Sequence, residues 1–324
     1  MRVLITGGFG FIGGRLAVHL AQLGGQIVIG SRKVSSPPVW LPQAEVVQIE
    51  WDNAQALERI CSGVDIVIHA AGMNAQDCAT DPIAALAFNG VATARLVSAA
   101  NRAKVQRFIY LSTAHIYANP LIGTITEETF PRNLHPYATS HLAGEQVVLS
   151  ATQCGQTQGI VLRLSNAFGE PMQKDINCWM LLVNDLCRQA VQTRKLVLQT
   201  NGLQQRDFIR MSEVCSVTEQ LAVVDNSKSI SKQLGIFNVG AGTSLSVLDM
   251  ALLIQQRCLQ VLGFEPTLQR VQGRGNNHPL LDYRTDNLEA IGINCNSTDN
   301  ATEIDGLLRF CQSTFTQIQN RAHE

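Results

Sequence analysis

The sequence predicts an α/β protein: a doubly wound parallel sheet of Rossmann type with a smaller C-terminal α/β substrate region. Short β-branched runs alternate with helical stretches through the first half, the pattern of a parallel sheet covered on both faces. A glycine-rich turn, Thr6-Gly7-Gly8-Phe9-Gly10-Phe11-Ile12-Gly13, follows the first run directly. After Arg163 the alternation loosens, and a second region begins near Pro171 and Asp175.

Strands are expected over residues 2–6, 27–30, 45–49, 65–69, 107–111 and 160–164, where Val, Ile and Leu crowd between polar turns. The first helix, 11–23, opens on the glycine turn. A long helix runs from Asp81 as N-cap and Pro82 as first helical residue to about 103, because proline's missing N–H is an orphan there anyway. Gly90 interrupts it. Further on, a helix over 176–192, strands over 195–199 and 235–239 around a helix at 212–224, and an amphipathic tail over 303–318 complete the pattern. Residues 1–166 with about 207–240 form the expected dinucleotide-binding domain; about 167–206 with 241–324 form the substrate-binding region.

Composition narrows the function. A chain of 324 residues, 45% hydrophobic and 16% charged, buries a full core. Its 25 Lys and Arg against 26 Asp and Glu leave a net charge of -1, no footprint for nucleic acid or an anionic membrane. Nine Cys without a C-x-x-C pair are expected to be reduced thiols. With no signal-peptide core and no run of about 18 apolar residues, a cytoplasmic protein without a membrane span is expected.

Gly7, Gly10 and Gly13 satisfy G-x-x-G-x-x-G, and Gly8, Gly10 and Gly13 satisfy G-x-G-x-x-G, between strand and helix. Residues without Cβ permit a tight turn and let a pyrophosphate approach the backbone at the helix N-terminus, where Phe11 and Ile12 begin the first turn. A nicotinamide dinucleotide is the expected ligand. After the second strand stand Ser31-Arg32-Lys33, where a carboxylate would hold ribose hydroxyls and a cation a 2'-phosphate. NADP is therefore favoured over NAD. Asp52, after the third strand, suits the adenine amino group, and Ala70-Ala71-Gly72 after the fourth is small enough for the cofactor to pass; both also read as plain loop.

These motifs, with Asn89, the segment from Leu111 to Tyr117, Tyr137, Arg163 to Asn166 with Phe168-Gly169, Arg206-Asp207-Phe208 and Phe237 to Gly240, resemble the extended short-chain dehydrogenase/reductase family. That group includes NAD-dependent, nucleotide-sugar-modifying epimerases, dehydratases and 4-ketoreductases. The resemblance implies Tyr137 as acid/base and Thr113 as the hydroxyl that holds the reacting oxygen. It also implies Asn166, Arg206 and Arg274 as substrate contacts, a nucleotide sugar as partner, and a homodimer formed through two helices from each subunit. The acidic pair that the family's 4,6-dehydratases carry after the catalytic Thr reads Ala114-His115 here, which argues against dehydration; His115 is placed beside the substrate. The family's later Ser-Lys element reads Thr285-Asp286.

One departure stands out. The family writes Tyr-x-x-x-Lys; this chain writes Tyr137-Ala138-Thr139-Ser140-His141. Four residues apart on a helix, both side chains share a face. A lysine holds the nicotinamide ribose and pulls the tyrosine down from about 10, whereas a histidine of reference pKa about 6.5 is mostly neutral at pH 7. His141 is thus a working substitute in cofactor binding and catalysis, a sign of slowed or lost activity, or a bystander with His115 as the base. A dinucleotide-binding protein without turnover, acting as a redox-responsive or structural partner, is the rival reading.

Overall fold

The computed structural model describes residues 1–153, 157–224, 235–271, 279–295 and 299–316. Seven strands form the main sheet: β1 (Arg2–Thr6), β2 (Gln26–Ser31), β3 (Glu45–Gln48), β4 (Ile66–His69), β5 (Arg107–Thr113), β6 (Gln158–Leu164) and β7 (Ile236–Val239). All pair in parallel, in the order 3-2-1-4-5-6-7. The order reverses between β1 and β4, where Thr6 lies opposite both Gly30 and His69. At that switch point a crevice opens beyond the carboxyl ends of the strands.

The principal helices are α1 (Phe11–Gln22), α2 (Ala54–Cys61), α3 (Pro82–Arg102), α4 (Pro136–Gln153), α5 (Leu182–Thr193), α6 (Met211–Val223), α7 (Val247–Leu262) and α8 (Ala301–Phe315). Leu16 and Leu20 of α1 and Val214 and Leu221 of α6 cover one face of the sheet through Ile5, Ile29, Ile109 and Leu162. Leu57, Leu96 and Val148 of α2, α3 and α4 cover the other through Leu4, Val28, Val67 and Phe108. The two-sided burial explains why β1 reads as the unbroken apolar run Val3-Leu4-Ile5.

Asp81 caps α3 by accepting from the Ala84 amide at 2.9 Å, with Pro82 behind it. The expected break at Gly90 takes the form of a π-helical turn over Leu86–Ala92. Contrary to expectation, α3 is long and apolar enough to span a membrane: it has 21 residues, and an 18-residue window within it has a mean hydropathy of 1.4. Half of that stretch is buried in the fold, and Asn89 and Thr93 make buried polar bonds there, as a core helix does.

A second, three-stranded sheet joins Asn166–Phe168 in parallel, and Ser244–Ser246 antiparallel, to the central Gln205–Arg210. Residues 207–210 thus sit in this sheet, while α6 and β7 return to the main one. Phe168, Leu186, Leu198, Phe208, Ile254 and Leu307 form its core with α5, α7 and α8. Helix α5 begins at Leu182 rather than 176, because the Cys178 amide bonds back to Ile176 and that of Leu181 to Cys178, closing turns instead of a helix. The eight described cysteines are free and buried; burial pushes Cys61, for example, up to about 12.

Candidate active site

The crevice begins as a backbone cradle. Gly7 adopts a φ of +68°, and a Cβ there would meet the Ala70 carbonyl and the Ala71 amide at 2.8 Å. The first βα turn and the loop after β4 therefore touch main chain to main chain. The Gly10 amide donates to the Gly7 carbonyl at 2.8 Å, and no side chain caps α1. The amides of Phe11, Ile12 and Gly13 are left to an anion. A dinucleotide pyrophosphate fits this cradle because a Cβ on Gly7 or Gly13 would fill it with contacts to backbone.

A polar thread holds the two loops in register. Thr6 Oγ1 lies 2.6 Å from His69 Nδ1, His69 Nε2 2.9 Å from Thr93 Oγ1, and the Thr93 hydroxyl donates to the Asn89 carbonyl at 2.7 Å. Burial, with His141 nearby, drives His69 down to about 3. Arg32 is exposed just past β2 and has no ion pair or hydrogen bond among the described residues. Asp52 stands on the rim, its carboxylate engaged by Arg95 of α3, so an adenine amino group would have to share it.

The floor of the crevice is built from side chains. Thr113 ends β5, Tyr137 sits in the first turn of α4, and the Thr113 hydroxyl hydrogen-bonds Tyr137. Burial pushes the Tyr137 phenol above its ordinary value, against the lowering effect of that bond. His141 packs edge-on against Tyr137 with ring centroids 4.6 Å apart, and burial takes it down to about 4. It is neutral at pH 7. His141 Nδ1 lies 3.0 Å from the Tyr110 hydroxyl. Asn89, in the π-helical turn, accepts from the Met73 amide at 3.0 Å and donates to Ser140 at 3.0 Å, tying the loop after β4 to α4.

Behind the floor lies a buried ion pair, Glu145 and Arg163, at 2.8 Å. Glu145 accepts from Ser112 at 2.5 Å, and Arg163 donates to the Tyr117 hydroxyl at 2.7 Å, which donates to Asn238 at 2.7 Å. Each buried charge is thus paired and hydrogen-bonded, and Ser112 is occupied, leaving Thr113 to face the cavity.

The cavity itself, about 280 Å³, brings together Phe11, Ile12, Thr113, Tyr137, His115, Asn166 and Arg206. Desolvation by the pocket walls, with the Arg206 and His135 charges, holds His115 below the ordinary imidazole range. Arg206 has no carboxylate partner among the described residues; it donates to Gln204 at 3.4 Å. Asn166 donates to the Asp207 carbonyl at 2.8 Å, which leaves its own oxygen free to accept. Arg274 lies outside the described residues. Sequence patterning missed the apolar wall of Phe168, Met180, Leu181 and Phe208, and the supporting Tyr110 and Ser140.

Over residues 3–240 the chain matches the model of the NAD dependent epimerase/dehydratase family. The chain belongs to that family. Among its relatives, a dTDP-D-glucose 4,6-dehydratase of Bos taurus is 28% identical over 266 residues, covering 77% of this chain and 71% of that one. A dTDP-6-deoxy-L-talose 4-dehydrogenase (NAD(P)(+)) of Kitasatospora kifunensis is 28% identical over 268 residues, 79% of each chain. In fold, the epimerase/dehydratase chain is similar to the UDP-glucose 4-epimerase of Thermus thermophilus in complex with NAD: TM-score 0.78, 20% identity, 97% of this chain and 100% of that one.

Proposed function

We propose that this chain is an NAD(P)-dependent oxidoreductase of the sugar epimerase/dehydratase type. It transfers a hydride to or from a ring carbon of a nucleotide-activated sugar, as an epimerase or 4-ketoreductase. One observation carries the reading: Tyr137, bonded to Thr113, lines a cavity that the dinucleotide cradle bounds on one side and Arg206 on the other.

A hydride leaving a ring carbon must be matched by a proton leaving its hydroxyl. The Tyr137 oxygen takes that proton and Thr113 holds the reacting oxygen; the reverse reduces a ketone. The dinucleotide, when bound, supplies the hydride acceptor or donor. Its pyrophosphate would be held by the amides of Phe11, Ile12 and Gly13 beside Gly7 and Gly10, its adenosine by Arg32 and Asp52, and its nicotinamide ribose by Ala70, Ala71, Tyr137 and His141. The free Arg32 favours NADP. Guanidinium forks at Arg206 and Arg274 take the substrate pyrophosphate, while Asn166 and His115 contact the sugar. Residues 1–166 with α6 and β7 serve the dinucleotide, and the remainder serves the substrate.

Exposed Ile83, Leu86 and Val91 on α3 support a homodimer through α3 and α4, and buried free thiols support a reducing cytoplasm. The test is to release and identify any dinucleotide bound to the purified protein. A panel of UDP- and dTDP-sugars is then followed by nicotinamide absorbance and by NMR of the sugar, because an epimerase returns its hydride and shows no net absorbance change. A converted sugar sustains the proposal. Silence across the panel with dinucleotide bound replaces it with the binding protein that lacks turnover.

A further inference from the structure

We infer that Tyr110 is a positioning residue that locks His141 in its Nε2–H tautomer, so that the imidazole presents one N–H donor to an acceptor oxygen of the dinucleotide. The inference deepens the function proposed above and rests on it for the identity of that acceptor.

Tyr110 stands on β5 with its ring fully buried, and its hydroxyl lies 3.0 Å from His141 Nδ1. Among the described residues it has no other hydrogen-bond partner. The phenol is held in place from two sides. Its ring lies 5.6 Å from that of His69, at 34°. At Gly144, three residues after His141, a Cβ would sit 2.6 Å from the Tyr110 hydroxyl and 2.7 Å from the Asn89 carbonyl, so the lack of a side chain gives the phenol its space. That carbonyl already accepts from Thr93.

A buried hydroxyl that donates to nothing is costly, and the acceptor within reach of Tyr110 is Nδ1. Tyr110 therefore donates. A neutral imidazole carries one N–H, so when Nδ1 accepts, the proton resides on Nε2. Nε2 has no protein partner among the described residues, and it faces Gly72, where a Cβ would lie 3.7 Å away. Gly72 ends the small-residue segment that borders the cradle at Ala70 and Ala71. The donor is thereby aimed along the path of the dinucleotide. A lysine in this position offers three donors and a charge; His141 offers one donor whose direction Tyr110 fixes.

The experiment uses the full chain labelled with 15N-histidine, without dinucleotide, at neutral pH. Long-range 1H–15N correlations separate protonated from unprotonated ring nitrogens, and the signals lost in His141→Gln assign the residue. An unprotonated Nδ1 and a protonated Nε2 are expected. Tyr110→Phe should give a mixed or exchange-averaged tautomer and weaken dinucleotide binding about tenfold. A wild-type His141 protonated on Nδ1 overturns the inference, as does a Tyr110→Phe spectrum identical to wild type. The wild-type spectrum decides the tautomer whether or not the variant folds. Should the sugar panel stay silent while Nε2 is protonated, the turnover reading falls and the tautomer lock stands.

Discussion

The glycine cradle proposed for the dinucleotide and the floor proposed for catalysis meet at the same switch point, yet they are specified in opposite ways. The cradle is made by leaving side chains out: Gly7 and Gly13 are pressed against backbone atoms that cannot move aside. The floor is made by side chains that need one another: Thr113 bonds Tyr137, Tyr110 bonds His141, and Asn89 bonds Ser140. Damage to the cradle should abolish binding; loss of the Tyr137 hydroxyl from the floor should abolish chemistry and spare binding, whereas the Tyr110–His141 pair touches both.

Tyr137→Phe tests that division most severely. With Tyr137 as the proposed proton acceptor, removing its hydroxyl should lower kcat by about 10²–10⁴-fold. Dinucleotide affinity, measured by calorimetry, should stay within about threefold of wild type, because the cradle is untouched. Equal losses in both would mean that cradle and floor are one unit. Gly13→Ala is the converse. Its methyl would meet the Gly7 carbonyl oxygen, with the Gly7 carbonyl carbon at 2.8 Å and Gly8 Cα at 3.0 Å, so the turn must open. Dinucleotide affinity should fall about 100-fold, on the order of 3 kcal/mol, while the thermal midpoint of the protein without ligand shifts less than its binding does.

The same contrast explains what could be read from the sequence. The cradle is local: its glycines lie within seven residues, and strand before and helix after are enough to place it. All six strands named for the first half occur: burial on both faces leaves an apolar run in five of them, while β3, at the sheet edge, shows only Val46-Val47 between exposed polar ends. The floor is not local. Tyr110 lies 31 residues from His141, and Asn89 lies 51 from Ser140, so no spacing rule connects them. The family frame supplied Thr113, Tyr137 and His141 as candidates, but the phenol behind the histidine appears only when β5 packs against α4. Met180 and Leu181 were hidden for a different reason: apolar spacing over 176–181 mimics a helix, and the turn hydrogen bonds that win there leave no mark on hydropathy.

Acid should separate the two regions again, because the floor and the thread beside it hold two buried histidines and the glycine turn holds none. His141 stands at about 4 and His69 at about 3 in the folded chain, both below the unfolded reference of about 6.5. Below about 6.5 the unfolded chain binds more protons than the folded one, so stability is full above that pH and falls as pH drops towards 4. For His141 the loss is on the order of 3 kcal/mol. Denaturation midpoints measured in steps of pH should show it, and His141→Gln should flatten the slope. An unchanged slope in that variant would mean that His141 charges freely in the fold and that its burial is relieved by water.

Arg32 gives the smallest effect and the sharpest test of where the cradle ends. Its side chain is exposed and has no protein partner among the described residues, so whatever it contributes to a 2'-phosphate is gained in high dielectric. Arg32→Ser should weaken NADP about tenfold, or about 1.4 kcal/mol, and leave NAD within about twofold. Because the charge lies in solvent, raising the salt concentration until the Debye length is about 3 Å should erase most of the preference for NADP proposed above. Titrating both dinucleotides calorimetrically at low and high salt measures each term. Should the variant lose neither cofactor, any phosphate preference would have to come from backbone amides of the cradle itself, where salt screens little, and recognition of the adenosine end would join the backbone-built region.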